Sequence, residues 1–366
     1  RIDYTGGGCP HILAEPQRTN LVEYSEDFEN SYYDENNGVT ATNDSTTSPS
    51  GLVNASKILG GLDNAYIGIF QAYTTTSTTV TASVFLKQDT ISDVGLYYTG
   101  DLGDGANDNL QIDLSSGTLT SIGSGLTASI TSYNNGWYKV TSTYTTKASG
   151  STLGIRLYSL TAGSFYAWGL QLEVGSYPTS LIPTSGSTVT RNQDIFTRDG
   201  IGSLINSTEG VLFIEFKTLS ETGTFRQFNL SKDSGNRIYI TKRGDSGNLE
   251  FRMENPSGNL NFTFAENTTN DFVKVAFRYG LNNFAVFIDG VNKNVTSTGN
   301  VFASGTLNTL EFDSPLSQPF YGKVKQLQVY DTALTDEQLL QLTGESGTDF
   351  YESYAEMASA LTYTIQ

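Results

Sequence analysis

The chain has 366 residues, enough for two domains that each bury a core without metals or disulfides. It holds 37 Gly, 21 Tyr and 20 Phe but only 16% charged residues, and aromatic and Thr residues suit pleated surfaces while Gly and Asn suit tight turns, so the fold class is all-β. A formal charge of −17 with no Lys/Arg cluster excludes nucleic acid as a partner and disfavours an anionic membrane, and no apolar run approaches the ~20 residues of a transmembrane helix.

Residues 1–30 read as an extended lead-in with a turn at Gly6-Gly7-Gly8. Cys9 is the sole cysteine, so no intrachain disulfide or structural zinc site can form. Arg1-Ile2-Asp3-Tyr4 reads as an interior segment without a signal peptide, so upstream sequence is expected. Residues 31–180 then alternate with period 2, as half-buried strands do. Val80, Ala82, Val84 and Leu86 form one apolar face, with Phe85 and Lys87 on the other. Leu153, Ile155 and Leu157 likewise oppose Arg156 and Tyr158. Residues 137–144 and 165–174 repeat the pattern, placing Trp137 in the core and Trp168 in register with Leu170 and Leu172.

Pro178 and Pro183 stop the alternation, and 181–199 reads as a linker. A second β-rich unit follows over 200–344, with runs at 209–217, 237–242, 248–253, 272–279 and 283–291, and a hairpin signal at Asp289-Gly290. Thr335 and Gln338 have the spacing of a capping box. The tail, 345–366, carries a helical stripe of Tyr351, Tyr354, Ala358 and Leu361 that would dock on its own domain or on sister chains.

Two segments, Glu15-Pro-Gln-Arg-Thr-Asn-Leu-Val-Glu-Tyr-Ser-Glu-Asp-Phe (15–28) and Trp168-Gly-Leu-Gln-Leu-Glu-Val-Gly-Ser-Tyr-Pro-Thr-Ser-Leu-Ile-Pro-Thr (168–184), resemble a module of bacteriophage tail and virion proteins, in which they open and close a jelly roll. The order Phe287-Ile-Asp-Gly290, Gly322-Lys-Val, Leu327-Gln-Val-Tyr-Asp331, Ala333-Leu and Asp336-Glu-Gln338 resembles the closing half of laminin-G-like, concanavalin-type sandwiches. Together these imply two tandem sandwiches, a family 4/9-like carbohydrate-binding jelly roll and then a laminin-G-like one, with a short C-terminal helix. They further imply a virion location and homo-oligomers, trimers being the commonest arrangement. Both families often hold structural calcium, which makes Asp101, Asp104 and Asp108 candidate ligands in a loop that otherwise reads as a solvated turn; no cofactor is required.

Chemistry is scarce. His11 is the only histidine, which weakens Ser–His–Asp and His-based lyase readings. Glu311-Phe-Asp313 resembles the start of a laminarinase motif, but Leu316 and Ser317 stand where its second glutamate belongs and Pro315 breaks the strand. Glu215 and Glu250 alternate with apolar residues and are expected to face solvent. Glycan binding is what the residues support, since sugar rings stack on aromatic faces and polar side chains bond their hydroxyls. Phe85, Lys87, Arg156, Tyr158 and Gln171 would form that surface if their strands are neighbours. The leading expectation is a non-enzymatic virion protein that adheres to host polysaccharide beside other virion proteins. A secreted polysaccharide-degrading enzyme or its accessory module, in an extracellular location, and a purely structural virion spacer are the alternatives.

Overall fold

The computed structural model describes residues 2–3, 10–60, 65–72, 78–100, 108–145, 152–219, 225–269, 271–313 and 318–344. The protein is all-β, with one eight-residue α-helix among the described residues. It divides into two compact units, one formed by 15–193 and the other by 1–14 together with 194–366.

The 15–193 unit is a jelly-roll sandwich. Its front sheet runs Thr118–Ile122, Asp108–Asp113, Asp93–Gly100, Thr152–Ser159, Tyr66–Ala72, Asp34–Asn36. Its back sheet runs Thr127–Ser132, Trp137–Thr145, Thr79–Gln88, Gly163–Val174, Val53–Gly60, Thr40–Thr47. The inward rows, including Val80, Val84 and Leu86 from the back and Val94, Leu96, Tyr98, Ile155 and Leu157 from the front, meet in one buried core. Alternation places these residues because every second side chain of a strand points to the same side.

Trp168 departs from the expected register. The pairing of 163–174 with 79–88 slips between Trp168 and Gln171, and Gly169 sits there at φ +65, a conformation glycine adopts without strain. The bulge turns Trp168 to the outer face beside Phe85, Trp137 and Ala55, while Leu170 and Leu172 stay in the main core. Trp137 and Trp168 are therefore buried, but in a satellite cluster.

Residues 176–191, which include most of the expected linker, are bound to the sandwich. Glu173 is fully buried and accepts hydrogen bonds from the Thr179 backbone N–H (2.9 Å), the Thr179 hydroxyl and the Gln171 amide (2.7 Å). Gln171 Oε1 accepts from the Ile182 N–H at 2.6 Å, and Asn20 Nδ2 donates to the Ile182 carbonyl at 2.9 Å. Ser25 and Thr184 bond reciprocally, Arg191 pairs with Glu15 at 3.1 Å, and Val189–Arg191 pairs with Arg18–Asn20. The two segments that carry the virion-module resemblance are thus the halves of one polar clasp, and the extended lead-in predicted for 1–30 is instead divided between the two units. Limited proteolysis of the native chain should spare 176–191, and early cleavage there would refute the clasp.

The second unit is also a sandwich. One sheet runs Ile2–Asp3, His11–Ala14, Gly322–Tyr330, Glu209–Thr218, Val273–Gly280, Phe284–Ile288, Val291–Thr296. The other runs Thr197–Arg198, Thr309–Glu311, Arg226–Asp233, Asn236–Lys242, Leu249–Glu254, Leu260–Phe264. Their inward rows form a phenylalanine-rich core that includes Phe216, Phe228, Phe251, Phe277 and Phe284. The chain's own start completes this sheet: Ile12 pairs with Val324 and Ala14 with Gly322, and Asp3 bridges Lys323 at 2.6 Å. Helix Asp336–Thr343 opens with the predicted capping box at Thr335 and Gln338 and packs Leu339 against Phe213 and Phe287. The predicted hairpin forms with Asp289 at φ 47 and Gly290 at φ 73. Among the described residues no helix is long and apolar enough to cross a membrane.

Candidate functional site

The outer face of the front sheet carries the site. Strand register sets Tyr158 between Tyr66 on one neighbouring strand and Gly95 on the other, and Arg156 between Gly68 and Tyr97. Each glycine leaves room for a long side chain to lie flat. A β-carbon at Gly95 would fall 2.2 Å from the Tyr158 ring, and one at Gly68 would fall 2.7 Å from Arg156 Cγ. Mid-strand glycine commonly marks such close approach. The Arg156 guanidinium lies 4.1 Å from the Tyr66 ring centroid and 5.9 Å from that of Tyr97, a cation–π arrangement.

The next strand adds Asn109 opposite Tyr97 and Gln111 opposite Gly95. Burial pushes the Tyr158 hydroxyl above its ordinary value, against the opposing pull of its hydrogen bond with Gln111, so the group stays a neutral O–H at physiological pH. Asn36 and Asn37 close the far wall, where Asn37 (φ 55) and Gly38 (φ 74) form a tight turn. The result is a groove of about 440 Å³ with a tyrosine floor, amide walls and one guanidinium. That volume lies in the ~300–1,000 Å³ range of ligand sites. Flat rings can stack on a pyranose face, and amides both donate to and accept from hydroxyls.

The structure brings Arg156 and Tyr158 together and separates them from the other three predicted binding residues. Phe85 and Lys87 belong to the back sheet, not the front. Phe85 does point away from the main core, as predicted, but it is 7% exposed and packs edge-on against Tyr133 (5.0 Å) and tilted against Trp168 (5.3 Å), with Leu181 over the cluster. Lys87 stands over Trp137 at 6.0 Å. Gln171 is fully buried in the clasp and offers nothing to a ligand. Tyr66, Tyr97, Asn36, Asn37, Asn109 and Gln111 also line the groove and were not anticipated.

Of the calcium candidates, Asp101 and Asp104 lie outside the described residues, as does the Tyr351/Tyr354/Ala358/Leu361 stripe. Asp108 is buried and accepts the Gly125 N–H at 2.7 Å, which commits it to the 123–125 turn. Among the described residues no three His, Cys, Asp or Glu side chains group to hold a metal.

In the second unit, Glu311 accepts hydrogen bonds from Asn229 (3.0 Å) and Ser231 (3.2 Å). Glu215 and Glu250 are buried rather than solvated: Lys325 pairs with the first at 3.1 Å and Arg243 with the second at 2.8 Å. They do leave the core side of their strands, but long basic neighbours fold over them. His11 packs against Phe272 at 5.0 Å.

Fold and groove together define a two-sandwich β-protein with an aromatic-floored depression on its first sandwich. Residues 213–340 match the family described as the concanavalin A-like lectin/glucanases superfamily. Over 166 residues, 37% of the chain, the sequence is 26% identical to an anhydrosialidase of Macrobdella decora, and the match spans 21% of that protein's length. Among solved structures, the CBM40 of the Ruminococcus gnavus IT-sialidase, bound to α2,6-sialyllactose, aligns at 16% identity and TM-score 0.34, covering 41% of this chain and 98% of that one. Domain 4 of the Geobacillus stearothermophilus arabinanase AbnA, in complex with arabinotriose, aligns at 21% identity and TM-score 0.34, covering 43% and 73%. These are likenesses of strand arrangement, and the ligands named with those structures belong to those proteins.

Proposed function

We propose that the chain is a non-enzymatic adhesion protein that holds glycan in the jelly-roll groove and serves on a bacteriophage virion surface. The groove itself carries this reading: three tyrosines, four side-chain amides and a stacked guanidinium converge there, the groups that sugar recognition uses. The virion assignment rests on the resemblance of 15–28 and 168–184 to the phage module. A second reading, an accessory glycan-binding module of a glycan-degrading enzyme, draws on the partial likeness to the anhydrosialidase.

A glycan array probed with the intact protein tests the first reading. Retention of at least one class of polysaccharide is expected, and it should be flat between about pH 6 and pH 9, because among the described residues the groove lining holds no His or carboxylate and Tyr158 stays protonated. Absence of binding across capsular, lipopolysaccharide and algal glycans would leave the structural-spacer reading instead. New reducing ends released from any of them would overturn the non-enzymatic assignment.

A further inference from the structure

The second unit holds a partly buried lysine, Lys242, whose ammonium meets no carboxylate among the described residues. In strand Asn236–Lys242, Ile238 and Ile240 point into the core, and Lys242 continues the same row at the strand's end. It is paired in register with Leu249, itself fully buried and followed across the sheet by Phe264. A core-facing row normally ends in an apolar residue or in a charge with a counterion.

The Lys242 ammonium has neither hydrogen bond nor ion pair among the described residues, whereas Lys57, Lys293, Lys323 and Lys325 each pair with a carboxylate at 3.1 Å or less. Burial alone pushes its ammonium below the ordinary lysine value, with no partner pulling it back. The carboxylate among the described lining residues of the notch, Glu266, is already held by Lys293 at 2.7 Å.

The ammonium reaches over the turn after its strand. A β-carbon at Gly247 would stand 3.9 Å from Lys242 Nζ, and Gly247 adopts φ +72. Around it lies an open notch of about 380 Å³, walled by Ser246, Asn248, Ala265, Glu266 and Asn267. A partly desolvated cation beside a hydroxyl and two side-chain amides is complementary to an oxyanion, which would supply a counterion and accept from the Asn248 and Asn267 amides while Lys293 holds the Glu266 carboxylate.

We infer that the notch around Lys242 is a second, anion-selective site, fitted to the carboxylate or sulfate of an acidic sugar residue and independent of the jelly-roll groove. Its occupant chemistry, an oxyanion on a polyhydroxylated ring, separates it from a simple salt site, and the experiment distinguishes the two.

Backbone amide resonances of the intact, isotope-labelled protein would be followed during titration with glucuronate, glucose 6-sulfate, inorganic sulfate and glucose. Glucuronate and glucose 6-sulfate should shift Gly247 and Asn248 saturably, inorganic sulfate should do so at least tenfold more weakly, and glucose should do nothing. Lys242→Met, which keeps the apolar stem, should remove these shifts while the melting temperature stays level or rises, and Lys242→Arg should keep them. Shifts with inorganic sulfate as strong as with the acidic sugars would reduce the site to an adventitious ion contact. Absence of any saturable shift, or a lower melting temperature for Lys242→Met, would overturn the proposal.

Discussion

Gly95→Val is expected to weaken glycan retention by at least tenfold while both sandwiches remain folded. The position is extended strand, and valine suits a strand, so backbone strain is not the reason. The cause is the new Cβ, which would lie 2.2 Å from Tyr158 Cζ. The ring must swing off the sheet, because the backbone of the paired strand cannot move without breaking its register with Gly95 and Tyr66. With the ring goes its hydrogen bond to Gln111 and the flat floor beside Arg156. A tenfold loss corresponds to about 1.4 kcal/mol, within reach of a single lost stacking contact. Tyr158→Phe separates ring from hydroxyl and should keep most of the retention. Tyr158→Ala should match Gly95→Val in binding but melt lower than wild type, since the ring covers Gly95 rather than standing free in solvent. Unchanged retention in Gly95→Val, measured on the polysaccharide that the array identifies, would remove Tyr158 from the site.

Glu173→Ala should be the most damaging single change in the first unit. It deprives three donors of their acceptor inside a fully buried site: the Thr179 N–H, the Thr179 hydroxyl and the Gln171 amide. An orphaned buried polar group costs about 1–3 kcal/mol, and coupled losses in one network are not additive, so a total of about 3–5 kcal/mol is expected. Chemical denaturation should show the loss in the jelly-roll transition alone, and the 176–191 segment should become protease-sensitive. Gln171→Glu would test the same clasp from the other side by setting a second carboxylate against Glu173. A jelly roll that melts normally with Glu173→Ala would show that the clasp is a consequence of closure and not its cause.

Both sandwiches were legible because period-2 alternation is local. The row Val80, Ala82, Val84, Leu86 and the row Ile155, Leu157 point inward as expected, and Arg156 and Tyr158 point outward. What parity could not supply is which strands share a sheet. Phe85 and Tyr158 read alike in sequence, yet one lies on the back sheet under Leu181 and the other on the front. Nor does parity survive a bulge, and Gly169 inverted Trp168 relative to Leu170. The missing groove residues left a faint trace: Gly95 and Tyr97 alternate with Val94, Leu96 and Tyr98, and a glycine in mid-strand marks a surface that something must cover. Gln171 misled because an outward register position was equated with solvent, although a connector of proline, serine and threonine folds across it.

The N-terminal strand has a consequence for the order in which the molecule assembles. His11–Ala14 leaves the ribosome well before its partner, Gly322–Val324, which emerges more than 300 residues later. At roughly 5–20 residues per second the strand waits on the order of fifteen to sixty seconds, during which the whole jelly roll, 15–193, has been made and can close on its own clasp. The second sandwich is therefore finished by a strand older than everything it joins, across a very long-range contact of the kind that slows folding. Synthesis runs in one direction along the chain, and the second sandwich closes on a strand made before the jelly roll.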